Sequence, residues 1–167
     1  FIMPLDWPML SILIFLPLLA CLVVAVLRSP GQIRLFTLGI GLMEILCALP
    51  LVLYFNPAQK EFQFQEIHAW IAKWQINYHL GVDGISLILI LLTVFLLPLC
   101  VLCSWSYIRE RVAEFHICLL LMTSACAGVF CALDFVLFYI FWEAMLIPMF
   151  LLIAVWGGPQ RKYAAMK

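Results

Sequence analysis

Charge is scarce in this sequence, and that scarcity is the first constraint on what the chain can be. Asp, Glu, Lys and Arg make up 11% of the 167 residues while 67% are hydrophobic, and the mean hydropathy is +1.16. Soluble domains carry roughly a quarter charged residues, so composition excludes one and points to an integral membrane protein. Nine basic and nine acidic residues cancel, which leaves no basic surface of the kind that binds nucleic acid. The first apolar run lacks a basic leader and a small-residue cleavage site, so it does not read as a removable signal peptide. The chain opens on Phe1 rather than Met, which hints at trimmed numbering.

Loop cysteine is also missing. The seven cysteines, Cys21, Cys47, Cys100, Cys103, Cys118, Cys126 and Cys131, all fall within apolar runs. An odd number with none in a water-exposed loop argues against a disulfide framework. Cys100 and Cys103 have the spacing of a metal or redox motif, but no second pair completes a ligand set, so small apolar packing residues is the reading adopted. His68 and His79 read as solvated or capping side chains rather than metal ligands.

Long hydrophobic runs are what the sequence does have. A bilayer core about 30 Å thick needs roughly 20 residues of helix. Five runs qualify, over 9–27, 33–55, 83–107, 115–133 and 135–156. The chain reads as one all-α membrane domain over 1–167, with a single long connection over 56–82. Basic residues divide unevenly between the two sides: Arg28, Arg34, Arg109, Arg111, Arg161, Lys162 and Lys167 against Lys60 and Lys73. That asymmetry places the N-terminus outside and the C-terminus inside, and makes 56–82 an outer-face loop.

Within this loop Trp74, Ile76, Tyr78 and Leu80 alternate with Gln75, Asn77 and His79, and Phe62 and Phe64 alternate with Gln63 and Gln65. Period-two patterning predicts a small β-hairpin on the outer face, with an interfacial helix over 66–74 as the competing expectation. Downstream, in GVDGISL, Asp83 or Ser86 can accept from free N–H groups at a helix start, and Pro98 predicts a kink in the third helix, closed by Trp105 and Tyr107 at the inner interface. On the fourth helix Ser124 and Gly128 form a small face for close approach, expected against the fifth helix.

Two acids stand inside the apolar runs, and no Lys or Arg lies deep enough to neutralise either. Glu143 is near the middle of 135–156, one residue before the carbonyl of Ala144 that Pro148 cannot satisfy, and Tyr139 precedes it by four residues on the same face. An intramembrane carboxylate costs on the order of 2.5–3.5 kcal/mol on insertion scales, so it is a functional-site hypothesis by default, here a proton site. The alternative is a carboxylate that only ties two helices together. Glu44, on the second helix, shares a face with Thr37 and Gly41 that should point into protein. Without a base, each acid must find polar partners, keep its proton, or face water.

The segment DFVLFYIFWEAMLIPMFLLIAVWGG, together with HLGVDGISL upstream and RKYAAMK at the end, resembles the antiporter-like membrane subunits of respiratory complex I, and within them the chain M branch. The pattern from Trp142 to Met149, WE-x-M-L-I-P-M, carries most of that likeness. The resemblance implies part of a proton path in a proton-translocating NADH:quinone oxidoreductase, working only within a larger assembly in a bacterial plasma membrane or mitochondrial inner membrane. It implies that Glu143 is the glutamate paired with a lysine on a later helix. It also implies no cofactor in this chain, with NADH, flavin, iron-sulfur clusters and quinone held by partner subunits, and other membrane-arm subunits and the lipid bilayer as partners. A non-catalytic assembly element remains the alternative. So does the equivalent subunit of a plastoquinone-linked complex, a membrane-bound hydrogenase or a multi-subunit cation/proton antiporter.

Overall fold

The computed structural model describes residues 8–59, 61–74 and 76–166, with the backbone alone described at Ala72 and Lys162. The readings that involve Phe1, Lys60, Gln75 and Lys167 lie outside the described residues. Among the described residues five helices are long and apolar enough to cross a membrane: α1 (Met9–Val26), α2 (Pro30–Tyr54), α3 (Gly84–Ser104), α4 (Val112–Cys131) and α5 (Phe135–Trp156). Between α2 and α3 lies an antiparallel pair, β1 (Gln63–Ile71) and β2 (Ile76–Val82), joined through a 3₁₀ turn. A short α6 (Arg161–Met166) follows α5 where the sequence suggested only a tail.

The helix boundaries move for local reasons. α2 begins three residues earlier than the hydropathy predicts because Pro30 sits at its first position, where its fixed φ fits and its missing N–H is not needed. α4 also begins three residues early, after Arg111 turns the chain in the left-handed region at φ 52°. α3 starts one residue late because Asp83 is its cap: Asp83 Oδ1 accepts from Ser86 N at 2.7 Å, and Ser86 Oγ accepts from Asp83 N at 3.0 Å. The interfacial helix over 66–74 does not form. That stretch is strand up to Ile71, and a bulge between Gln63 and Glu66, with Phe64 at φ 54°, bends the ribbon over the bundle.

α4 is the hub. It packs against α1, α3 and α5, while α2 packs mainly on α3 and α1. Lipid tails are as apolar as the side chains, so the helices associate through close packing rather than hydrophobic burial, and small residues set where they meet. A Cβ on Gly128 would stand 2.5 Å from the Phe141 ring of α5, so only glycine admits that contact. Ser124 does not follow the expectation of facing α5. Its hydroxyl donates to the Ile14 carbonyl of α1 at 2.7 Å, so the small face of α4 serves two neighbours.

The hairpin fastens the ends of α1, α3 and α5. The Glu66 carboxylate of β1 accepts from the N–H of Leu10 at 2.7 Å, from the N–H of Ser11 and from the Ser11 hydroxyl, which also meets the Tyr78 hydroxyl at 2.8 Å. β2 runs directly into the Asp83 cap. Leu133 N donates to the His79 carbonyl at 2.9 Å, Leu80 bridges to Ala132, and the Asn77 N–H donates to Asp134 at 3.1 Å. Leu80 and Val82 are fully buried beneath this junction.

Replacing Glu66 by Ala removes the acceptor at the α1 start, a loss of about 1–2 kcal/mol locally. Amide exchange of Leu10 and Ser11 should then quicken roughly five- to thirty-fold, while exchange in α3 stays unchanged. The acid limb of stability has a defined sign as well. The Asn77 N–H, with those of Leu137 and Val136, holds the Asp134 carboxyl below the usual carboxylate range, and the Ser86 hydroxyl does the same for Asp83. Their contribution is therefore complete above the unfolded value of about 3.9 and is lost as pH falls through the lower folded values. Thermal unfolding followed by circular dichroism between about pH 5 and pH 2 should show a shallower acid decline for Asp134→Asn than for the parent chain.

Candidate functional site

The position of α5 follows from contacts along its length. At its start Asp134 Oδ1 accepts from Val136 N at 2.9 Å and Leu137 N at 3.3 Å. Along its middle Phe141 seats on Gly128, and the Cys126 thiol meets Met145 Sδ at 3.3 Å. At its far end Trp156 donates from Nε1 to the Glu110 carbonyl at 3.2 Å and stands edge-on to Phe115 at 5.3 Å between ring centres. Only Leu137 and Pro148 of α5 are buried, because α4 is its main neighbour among the spanning helices and most of its surface stays uncovered.

Glu143 lies on the open side. Tyr139, 54% exposed, stands one turn earlier on the same face, with its phenol beside the Glu143 carboxylate. The sequence suggested a buried carboxylate; within these five helices it is exposed. The helix stays α-helical on both sides of Pro148. A phenol beside a carboxylate on an apolar helix face is chemically able to hand a proton to water or to a polar group packed on that face.

Glu44 is not brought to Glu143. It points from α2 into the interior enclosed by α1, α3 and α4, fully buried together with Thr37, as the shared face with Gly41 predicted. Neither carboxylate oxygen of Glu44 has a hydrogen-bond partner.

His79 and His68 sit on the hairpin, His79 Nε2 within 3.1 Å of Gln65 Oε1 and His68 exposed. Among the described residues no group of three or more His, Cys, Asp or Glu side chains could hold a metal ion. All seven cysteines are free thiols; Cys21, Cys118 and Cys131 are packed inside, whereas Cys100 and Cys103 face outward.

Sequence reasoning passed over a polar pair at the end of the bundle away from the hairpin. His116 of α4 is 1% exposed, donates from Nδ1 to the Val112 carbonyl at 2.9 Å and leaves Nε2 unpartnered. Arg34 of α2 donates to the Ile108 carbonyl at 2.7 Å, lies 5.9 Å over the Trp105 ring and leaves Nε unpartnered. Their signal was one guanidinium, which charge counting assigns to a loop, and one imidazole at the start of an apolar run.

The family described as NADH-ubiquinone oxidoreductase chain 4, amino terminus, matches residues 9–127, and the family NADH:quinone oxidoreductase/Mrp antiporter, TM, matches 132–167. NADH-quinone oxidoreductase subunit M of Rhodobacter capsulatus is 45% identical over 95% of this chain and 32% of its own length. NADH-ubiquinone oxidoreductase chain 4 of Arabidopsis thaliana is 41% identical over 93% of this chain and 32% of its own length. The chain thus spans about a third of the length of these relatives. Among solved structures, respiratory complex I from Thermus thermophilus contains a chain that superposes with a TM-score of 0.77 at 23% identity, covering 93% of this chain and 31% of that one. The membrane-bound sulfane sulfur reductase, an archaeal respiratory membrane complex, gives 0.72 at 19% identity, over 95% of this chain and 24% of that one. These likenesses establish the fold, and the family match over most of the chain establishes more: this chain is a multi-pass membrane protein that belongs to the NADH-ubiquinone oxidoreductase chain 4 family, the family of the bacterial subunit M.

Proposed function

We propose that the chain contributes part of a proton path to the membrane arm of a proton-translocating NADH:quinone oxidoreductase, with Glu143 as the group that takes and releases the proton. The observation that carries this reading is the Glu143–Tyr139 pair on the face of α5 that α1–α4 leave uncovered. Relatives about three times as long supply the rest of the bundle that would pack there.

The chemistry follows from dielectric and distance. A carboxylate facing lipid alone would be costly, so the helix packed on this face supplies polar company, and a basic side chain is the partner that suits it. At about 4 Å and an effective dielectric near 20, a single positive charge stabilises the ionised acid by about 4 kcal/mol. Moving that charge away by a few ångströms therefore returns the proton to Glu143, and moving it back expels the proton. Tyr139 acts on the position of the carboxylate and supplies a second hydrogen-bonding site for an incoming water. No redox step is asked of this chain: NADH oxidation and quinone reduction, with flavin and iron-sulfur clusters, belong in partner subunits. In this reading the hairpin faces the outer side and the loops bearing Arg28, Arg109 and Arg111 face inward.

The test is Glu143→Gln in the complete subunit within its assembled complex. Assembly should persist while proton transfer coupled to quinone reduction falls by at least about tenfold, equivalent to about 1.4 kcal/mol on the limiting step. Tyr139→Phe should give a smaller loss. Full proton transfer in the assembled Gln variant would sink the assignment, and a defect confined to assembly would make Glu143 a structural tie.

A further inference from the structure

The core of the bundle is divided in two. Toward the hairpin, Leu10, Leu13 and Ile14 of α1 pack with Ala48 and Leu51 of α2, Ile90 and Val94 of α3, and Ala127 of α4. Away from it, Ala20, Cys21 and Val24 pack with Ile33, Leu97, Val101 and Leu120. On α1, α2 and α4 the division falls at a residue that breaks the apolar pattern or the backbone ladder, Pro17, Glu44, and Thr123 with Ser124, and on α3 it falls between Val94 and Leu97, just before Pro98.

These residues form one layer. The Pro98 ring lies against Gly41, where a Cβ would stand 3.0 Å from Pro98 Cδ. α2 and α3 run antiparallel, so Glu44, one turn toward the hairpin from Gly41, stands level with Val94, whose carbonyl receives no N–H from Pro98. Pro17 likewise gives no N–H to Leu13. The Ser124 hydroxyl is already spent on the Ile14 carbonyl, and that of Thr123 on the Leu119 carbonyl at 3.0 Å.

Glu44 is therefore fully buried within the bundle, and among the described residues neither of its oxygens has a hydrogen-bond partner. α1 and α3 carry no charged side chain, and the charged or imidazole groups of α4, Glu114 and His116, stand near its far end. The titratable group in electrostatic contact with Glu44 is the Cys47 thiol on its own helix. An ionised carboxylate without a partner cannot persist there, whereas a neutral acid can. An acid so placed also leaves both of its oxygens open to an incoming water.

We infer that Glu44 is a second proton-binding site of this chain, holding its proton as a neutral acid in the central layer of the α1–α4 bundle and exchanging it with solvent through that layer. The site is independent of Glu143, which lies on a different helix and faces away from this interior.

Infrared difference spectra of the assembled complex carrying the complete subunit, taken at neutral and alkaline pH in H2O and in D2O, read the carbonyl stretch of a protonated carboxyl directly. Against a Glu143→Gln background, one such band should remain at neutral pH, shift on transfer to D2O and vanish in Glu44→Gln. If Glu44→Gln removes no band, the group is ionised and the inference is overturned. It is equally overturned if the band that vanishes is one that never shifts in D2O, since that marks a sealed acid with no exchange. Should Glu44→Gln fail to assemble, Glu44→Asp decides: a displaced band supports the assignment and an unmoved one rejects it. Proton transport is not the readout, so failure here leaves the role of Glu143 standing, and failure of that role leaves Glu44 untouched.

Discussion

The constraint on which the structure depends is the unsatisfied start of each helix that runs away from the hairpin. α1, α3 and α5 all begin at that end, and each leaves backbone N–H groups that no residue of its own helix can accept. At the edge of a membrane these groups need partners, and all three helices meet a carboxylate: Glu66 for α1, Asp83 for α3 and Asp134 for α5. The positive end of the helix dipole favours the same choice. The hairpin matters because it connects the three caps. Glu66 stands on β1, Asp83 ends β2, and Asp134 takes a further bond from Asn77 of β2. A ribbon of two strands, marginal alone in water, thereby fixes three helices relative to one another.

That clasp has a consequence for the site. α5 meets the other spanning helices mainly along its α4 side, through Phe141 on Gly128, Met145 on Cys126 and Trp156 against Phe115. Its rotation about its own axis, and so the direction in which Glu143 points, is set by these few contacts and by the cap at Asp134. A substitution at Gly128 would push Phe141 away and turn the carboxylate, although Gly128 itself touches no proton.

How much of this is legible in the sequence depends on the range of the interaction. Elements that rest on hydropathy or on neighbours three or four residues apart are readable: the five spanning helices, the cap at Asp83, and the common face of Thr37, Gly41 and Glu44. The hairpin was visible as alternation, although its strands extend further than the alternation did. What could not be read are contacts between residues far apart in the chain. Glu66 reaches Leu10 across 56 positions and Ser124 reaches Ile14 across 110, and neither pairing leaves a local pattern. The exposure of Glu143 belongs to the same class. An acid in an apolar run reads as buried, but burial is decided by which helices pack around it, and α5 has only α4 along most of its length.

The two intramembrane acids therefore occupy opposite physical situations, which bears on what each is able to do. Glu143 can be approached by a new charge, because the face on which it stands is open; its proton affinity is adjustable from outside by whatever packs there. Glu44 is enclosed by its own four helices, with no charged side chain on α1 or α3 to approach it. On the proposed readings, a proton on Glu143 is driven by motion of a neighbouring charge, whereas one on Glu44 answers to water entering the central layer. A coupling device needs the first kind of group at its moving contact. The second kind suits a point inside a rigid unit, where a proton is stored without the surroundings having to rearrange.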